Sequence, residues 1–276
     1  MAEEAVNENR AASSEAVTTP LPIYSDVEIN DLPDPEWLVE GLFQERTVAA
    51  IYGPTEGGKT FLALDFALSI ATGGPFHGLN VAQTGVVVYV YAEGGPNLKF
   101  RVHAWKLGHD LRLDEPCHVF FIPISVNLVD DRGSGLNDLL RTVRSKTSKP
   151  IALVVIDTLA ACFGGKNEDS TQDMNSFTNR CAKIRDELGC TVLVVHHTGR
   201  DSSRERGNLS LKNNIDTMIR CSRVKKGIVE LECEKQKDAP YFEPFQLILE
   251  EVQLSEEQTS CVLRSPDQEQ SELPLL

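Results

Sequence analysis

One stretch constrains the fold more than any other: residues 47–60, Thr-Val-Ala-Ala-Ile-Tyr-Gly-Pro-Thr-Glu-Gly-Gly-Lys-Thr. The apolar run Val48–Tyr52 has the length and β-branched content of a buried strand. It stops at Gly53, and Gly53-x4-Gly58-Lys59-Thr60 then fits the phosphate-binding loop pattern. Gly53, Gly57 and Gly58 permit backbone angles closed to other residues, so successive N–H groups can curl around a phosphate. Lys59 offers a point charge to the outer phosphates and Thr60 a hydroxyl to a Mg²⁺ ion. An apolar-rich helical stretch follows, Phe61 to Ala71, with its N-terminus facing the bound anion. Gly53, Pro54, Thr55, Glu56, Gly57, Gly58, Lys59, Thr60 and Phe61 are therefore the candidate nucleotide-binding residues.

The net charge of −14 is unevenly placed. Residues 1–46 hold 11 acidic and 2 basic side chains and residues 250–276 hold 7 and 1, which leaves 23 of the 41 acids and 24 of the 27 bases for residues 47–249. The middle of the chain, at a net +1, is free to meet a polyanion locally, although its balance does not demand one. No stretch approaches the roughly 20 apolar residues of a membrane span. The acidic, polar N-terminus does not read as a secretory signal. Seven cysteines without a C-x-x-C pair, several inside apolar runs, predict reduced thiols and a cytoplasmic protein. The six histidines show no metal-ligand spacing.

Two further strands end in acids. Six consecutive strand-formers, Val86–Tyr91, predict a strand buried on both faces, with Glu93 just past its C-terminal end. Open α/β sheets bind ligands at that end, where a carboxylate can orient and deprotonate a water. The bland alternative for Glu93 is a surface acid or helix cap ahead of Pro96. Ile151–Ile156 then delivers Asp157 in the manner of a Walker B strand, toward the water shell of Mg²⁺. A third buried strand, Cys190–Val195, ends in His196-His197, and since adjacent strand residues point to opposite faces, at most one of the two faces a γ-phosphate.

The remaining elements are read more coarsely. Residues 1–20 are predicted disordered, and residues 21–46 form an extended arm with one helical turn, packed on the domain that follows. Helices are expected over Asn97–Leu107, Leu136–Ser145 and Thr171–Leu188, with a strand at Val119–Ile124. Residues 199–212 read as a polar, Arg-rich mobile loop, followed by a short helix from 214. Antiparallel strands follow at Asp216–Ser222, Gly227–Lys235, Phe245–Glu251 and Ser260–Leu263. The domain proper spans 47–265, ahead of an acidic tail at 266–276.

Taken in order, these motifs resemble those of the RecA-like hexameric ATPases, nearest to plasmid RepA-type and phage replicative helicases and more distantly to DnaB-type helicase domains and RecA. The resemblance covers about residues 30–265. It implies an α/β RecA-like P-loop fold, a mainly parallel central sheet flanked by helices with a C-terminal antiparallel extension. It also implies ATP and Mg²⁺ as cofactors, with Thr60 and Asp157 at the metal. Glu93 would be the water-activating base, Lys59 the phosphate lysine and His197, favoured by register, the γ-phosphate sensor. Lys235 and Lys237, in Lys-x-Lys before Asp-Ala-Pro, would reach a neighbouring subunit's active site, with Arg206 a competing candidate. Loops 163–170 and 199–210 would line a channel for single-stranded DNA, with Lys166, Arg200, Arg204 and Arg206 as contacts, although only Phe163 offers an aromatic. The implied function is a ring-forming ATP-driven DNA motor, expected to be a hexamer from the resemblance. The alternative is a nucleotide-switched DNA-binding loader, recombination mediator or regulator that does not unwind.

Overall fold

The computed structural model describes residues 23–93, 95–130, 133–198 and 206–266. Residues up to Asp34 form a unit apart from Pro35 onward. Its described part carries one 3₁₀ turn, Glu28–Asp31, opened by a reciprocal cap in which the Ser25 amide donates to Glu28 and the Glu28 amide to Ser25 Oγ.

From Pro35 the chain is part of the main unit. Two short strands, β1 (Trp37–Val39) and β2 (Phe43–Gln44), pair antiparallel. Leu38, Val39, Leu42 and Phe43 are buried in the core, so residues 35–46 are built into the domain where an extended arm was expected. The cause is apolar content: burying each such side chain contributes about 1.5–3 kcal/mol.

Nine strands form the central sheet: β3 (Val48–Gly53), β4 (Val86–Tyr91), β5 (Val119–Ile122), β6 (Ile151–Asp157), β7 (Thr191–His197), β8 (Thr217–Lys225), β9 (Ile228–Gln236), β10 (Phe245–Gln253) and β11 (Thr259–Arg264). Their spatial order is β11-β10-β9-β8-β3-β7-β6-β4-β5. The six strands β8-β3-β7-β6-β4-β5 run parallel, and β9, β10 and β11 continue the sheet antiparallel. This is the mainly parallel sheet with an antiparallel extension that the motifs imply. Parallel strands covered on both faces need no polar face, which accounts for the nearly continuous Val, Ile and Ala runs.

Side chains alternate between two cores. Ala49, Ile51, Tyr89, Val155 and Val195 face helix α1 (Lys59–Thr72), and Ala50, Val88, Ile156 and Val194 face α3 (Ser134–Lys146) and α5 (Thr171–Leu188). Helix α2 (Asn97–Gly108) packs on α1 and the antiparallel edge, and a single turn, α4 (Leu159–Cys162), follows β6. On α1 the buried Asp65 accepts from Trp105 Nε1 and meets His77 Nε2, both at 2.7 Å, which ties α2 and the turn after α1 to it. Ser170 caps α5 by accepting from the Asp173 amide at 3.2 Å, a bond whose loss in Ser170→Ala costs about 1 kcal/mol.

One element departs from expectation. Helix α6 occupies Arg206–Asn214, beginning inside the stretch read as a mobile loop rather than at 214. Leu211 and Ile215 are buried against the α5 side of the sheet, and Asn214 donates to Asn175 Oδ1 at 2.6 Å. Tertiary packing thus overrides a locally polar composition. Among the described residues all seven cysteines are free, and no helix is long and apolar enough to cross a membrane.

Candidate active site

The C-terminal ends of the parallel strands meet at the loop between β3 and α1. Gly53 has φ 153° and Gly58 φ 95°, both unfavourable for a side chain. Space is as decisive as angle. A Cβ on Gly53 would lie 2.0 Å from the Cys221 carbonyl oxygen, and one on Gly58 would lie 2.8 Å from Val229 Cγ2. Strands β8 and β9 therefore press directly on the loop. Glu56, with φ 63°, takes the left-handed conformation without being glycine.

Lys59 opens α1, is buried, and donates from Nζ to the carbonyls of Gly53 at 3.0 Å and Pro54 at 2.6 Å. Burial presses its pKa below the ordinary amine value, while Cys221, Asp157 and Glu93 act in the opposite direction. The ammonium is thus held at the loop's mouth by weak neutral acceptors that an anionic oxygen would outcompete.

Asp157 ends β6 on the same face. Its Oδ2 accepts from the Tyr89 hydroxyl at 2.7 Å, and Thr60 also donates to the carboxylate. Burial pushes its pKa up to about 6, against the lowering effect of these two bonds. Its Oδ1 is buried without a partner. A buried carboxylate with one orphaned oxygen, bonded to the first hydroxyl after the loop, suits a hard cation with oxygen ligands, and Mg²⁺ fits these residues.

Glu93 lies two residues beyond β4, its Oε1 3.4 Å from Thr158 Oγ1 and 3.4 Å from His197 Nε2. Strand alternation separates the two histidines. His197 shares the Glu93 face, and its pKa is lowered by burial and then by Lys59, with Glu93 opposing. His196 points to the α5 face, is buried, has a pKa lowered by burial to about 4, and lies 3.7 Å from Glu168 Oε2. The structure thus brings Lys59, Thr60, Glu93, Asp157 and His197 to one mouth and turns His196 away from it.

Two residues at this mouth escaped the sequence reading. Tyr89 orients Asp157, and Arg101 on α2 donates to the Tyr91 hydroxyl at 3.2 Å while its guanidinium sits 4.9 Å from the Phe61 ring centroid. The available signal was Tyr at 89 and 91 in an otherwise all-valine strand: two polar tips on the face that also carries Asp157.

The basic candidates lie elsewhere. Since β9 runs opposite to β3, its end and Lys237 sit at the far edge of the sheet from Lys59, roughly 17 Å away along the six-residue β3. Lys237 is exposed, 3.7 Å from Asp216 Oδ1. Lys235 instead donates inward, to the carbonyls of Lys212 at 2.7 Å and Ile215 at 2.5 Å, so its expected projection toward a neighbour is corrected. Phe163 is buried against Phe177, ring centroids 5.6 Å apart, and is not presented for base stacking. Lys166 is exposed on the same loop. Arg200, Arg204 and the side chain of Arg206 lie outside the described residues.

The orphaned Asp157 oxygen gives a test that separates stability from chemistry. A carboxylate raised from 3.8 to about 6 costs the fold stability as pH rises through that window, and the cost is complete above it. At pH 8 Asp157→Asn should therefore melt about 5 °C above the wild type, from a relief of roughly 2–3 kcal/mol, while losing Mg²⁺-dependent turnover. A lowered melting point measured by calorimetry at pH 8 would contradict the buried charge.

The phosphate-binding loop, the strand-tip acids and the sheet order together define a RecA-like P-loop ATPase domain. A family model described as an AAA domain matches residues 19–203, and the chain belongs to that family. Among solved structures it is similar to the ATPase domain of a phage helicase, with a TM-score of 0.53 and 18% identity over 74% of this chain and 81% of that one. A likeness at this identity concerns the fold.

Proposed function

We propose that this protein is an ATP-hydrolysing RecA-like motor acting on DNA, a ring-forming replicative helicase or helicase-like ATPase. The observation that carries this reading is the meeting of Glu93 and His197, 3.4 Å apart, at the mouth that also holds Lys59 and Asp157. In the proposed reaction the loop amides and Lys59 hold the β- and γ-phosphates. Glu93 orients a water in line with the γ-phosphorus and accepts its proton as the new P–O bond forms and the bond to the β–γ bridging oxygen breaks. Mg²⁺, held through Thr60 and Asp157, would neutralise charge on the phosphate oxygens. His197, kept neutral by its surroundings, is placed to exchange Glu93 for a γ-phosphate oxygen as a partner, which would report the nucleotide state to β7.

The position of Lys237 supports a shared site. At the far edge of the sheet it cannot serve its own nucleotide, so any action on a phosphoryl group must be on a neighbouring subunit's. Mixing Lys237→Ala with Glu93→Gln subunits should then restore part of the turnover that each lacks alone, and stay inactive if each site is self-contained. ATPase rate with and without single-stranded DNA, measured alongside mass in solution, tests the whole reading. An ATP-dependent assembly whose turnover rises several-fold with DNA supports the motor.

The loop 163–170 favours a second reading, a nucleotide-switched DNA-binding loader, mediator or regulator. It carries Glu168 and Asp169, and its one aromatic is buried. Slow hydrolysis indifferent to DNA, without strand displacement, would select it.

A further inference from the structure

We infer that Lys235 is a positioning residue that straps the turn carrying Lys237 to the end of helix α6, so that the two shift together. This deepens the proposal that Lys237 meets a neighbouring subunit's nucleotide and rests on that reading for its use, but not for the strap itself.

The last carbonyls of a helix have no partners within it and carry its partial negative charge. At the end of α6 the Lys235 ammonium takes them: it donates to the carbonyls of Lys212 at 2.7 Å, Asn213 at 3.4 Å and Ile215 at 2.5 Å. One cation with three donors thus holds three carbonyls across the exit from the helix. The preceding residue repeats the link in the opposite polarity, Glu234 Oε1 accepting from Lys212 Nζ at 2.6 Å. Beyond it the Lys237 amide donates to the Asp216 carbonyl at 2.9 Å, and Asp216 Oδ2 accepts from the Val48 amide at the start of β3.

Residues 234, 235 and 237 are therefore bonded to residues 212–216 in succession, which leaves Lys237 as the member of the Lys-x-Lys pair whose side chain is open to solvent. A displacement of Lys237 of an ångström or two has no slack to absorb it before α6. Helix α6 is in turn tied to α5 through Asn214 and Asn175. The two lysines so divide the work: one outward, one inward.

Hydrogen exchange on the full chain, followed over peptides spanning 206–216 in ADP and in a slowly hydrolysed ATP analogue, tests this. In Lys235→Met, which keeps the aliphatic stem and removes the donor, amides of the last turn of α6 should exchange about tenfold faster in both states. Any difference between the two nucleotide states should vanish there. Lys235→Arg, able to reach the same carbonyls, should restore slow exchange. Lys237→Met should leave the slow exchange intact and remove only the nucleotide dependence. Exchange in Lys235→Met equal to the wild type would overturn the strap. So would restoration of its turnover by Glu93→Gln subunits to the level given to Lys237→Met, since that is the behaviour of a finger. If Lys237→Met changes neither turnover nor nucleotide dependence, the shared-site reading fails, while the α6 exchange of Lys235→Met still decides the strap.

Discussion

Lys59→Ala should lose nucleotide binding by about a hundredfold or more and abolish measurable ATP turnover, because two charge-assisted bonds to phosphate oxygens vanish together. The substitution should leave the fold nearly unchanged. In the wild type the ammonium bonds only to the Gly53 and Pro54 carbonyls, and its burial already depresses its pKa. Removing it frees those two carbonyls to water at the loop's mouth and also removes a desolvated charge, and these effects oppose each other. Titration with a fluorescent ATP analogue and a melting curve separate the outcomes. Wild-type affinity in a folded Lys59→Ala protein would refute the phosphate site itself, and everything built on it would go too.

Glu93→Gln should bind ATP as the wild type does yet hydrolyse it about 10²- to 10⁴-fold more slowly, the range that a positioned general base contributes. Glutamine keeps the length of the side chain and an acceptor oxygen for Thr158 and His197, each 3.4 Å from Glu93 Oε1. What it loses is the capacity to take a proton. Single-turnover chemistry measured by quench, beside equilibrium binding, distinguishes this from a weakened site. An undiminished chemical step would move the base to another residue, and the pairing of Glu93 with His197 would then be structural.

Much of this site is legible in the order of residues alone. A run of strand-formers ending in glycine, or in an acid, is a local pattern. β3, β4, β6 and β7 all stand within a residue of where hydrophobic periodicity puts them, and α5 spans the residues expected of it. Which of His196 and His197 shares a face with Asp157 also follows from counting, because alternation along a strand is a property of the backbone. The reading stops where a residue's role depends on what another segment brings to it. Residues 35–46 have the composition of an arm, yet Leu38 and Phe43 find a pocket against α1 and are drawn into the core. Residues 206–214 are polar on average, and it takes the packing of Leu211 and Ile215 to make them a helix.

The amino-acid sequence by itself therefore determined the chemistry on offer: a glycine loop with Lys59 and Thr60, and strands ending in acids and histidines, because each is a short pattern with its own steric and electrostatic reason. Only the tertiary structure decided how the parts are shared out. Sheet order put β8 against Gly53, closing that position to any side chain. It also carried the tip of β9 to the far edge from the phosphate loop. Folding then aimed Lys235 at the end of α6 and left Lys237 outside. Two lysines of the same chemical type, two positions apart, acquire different tasks because one meets unpaired carbonyls and the other meets solvent.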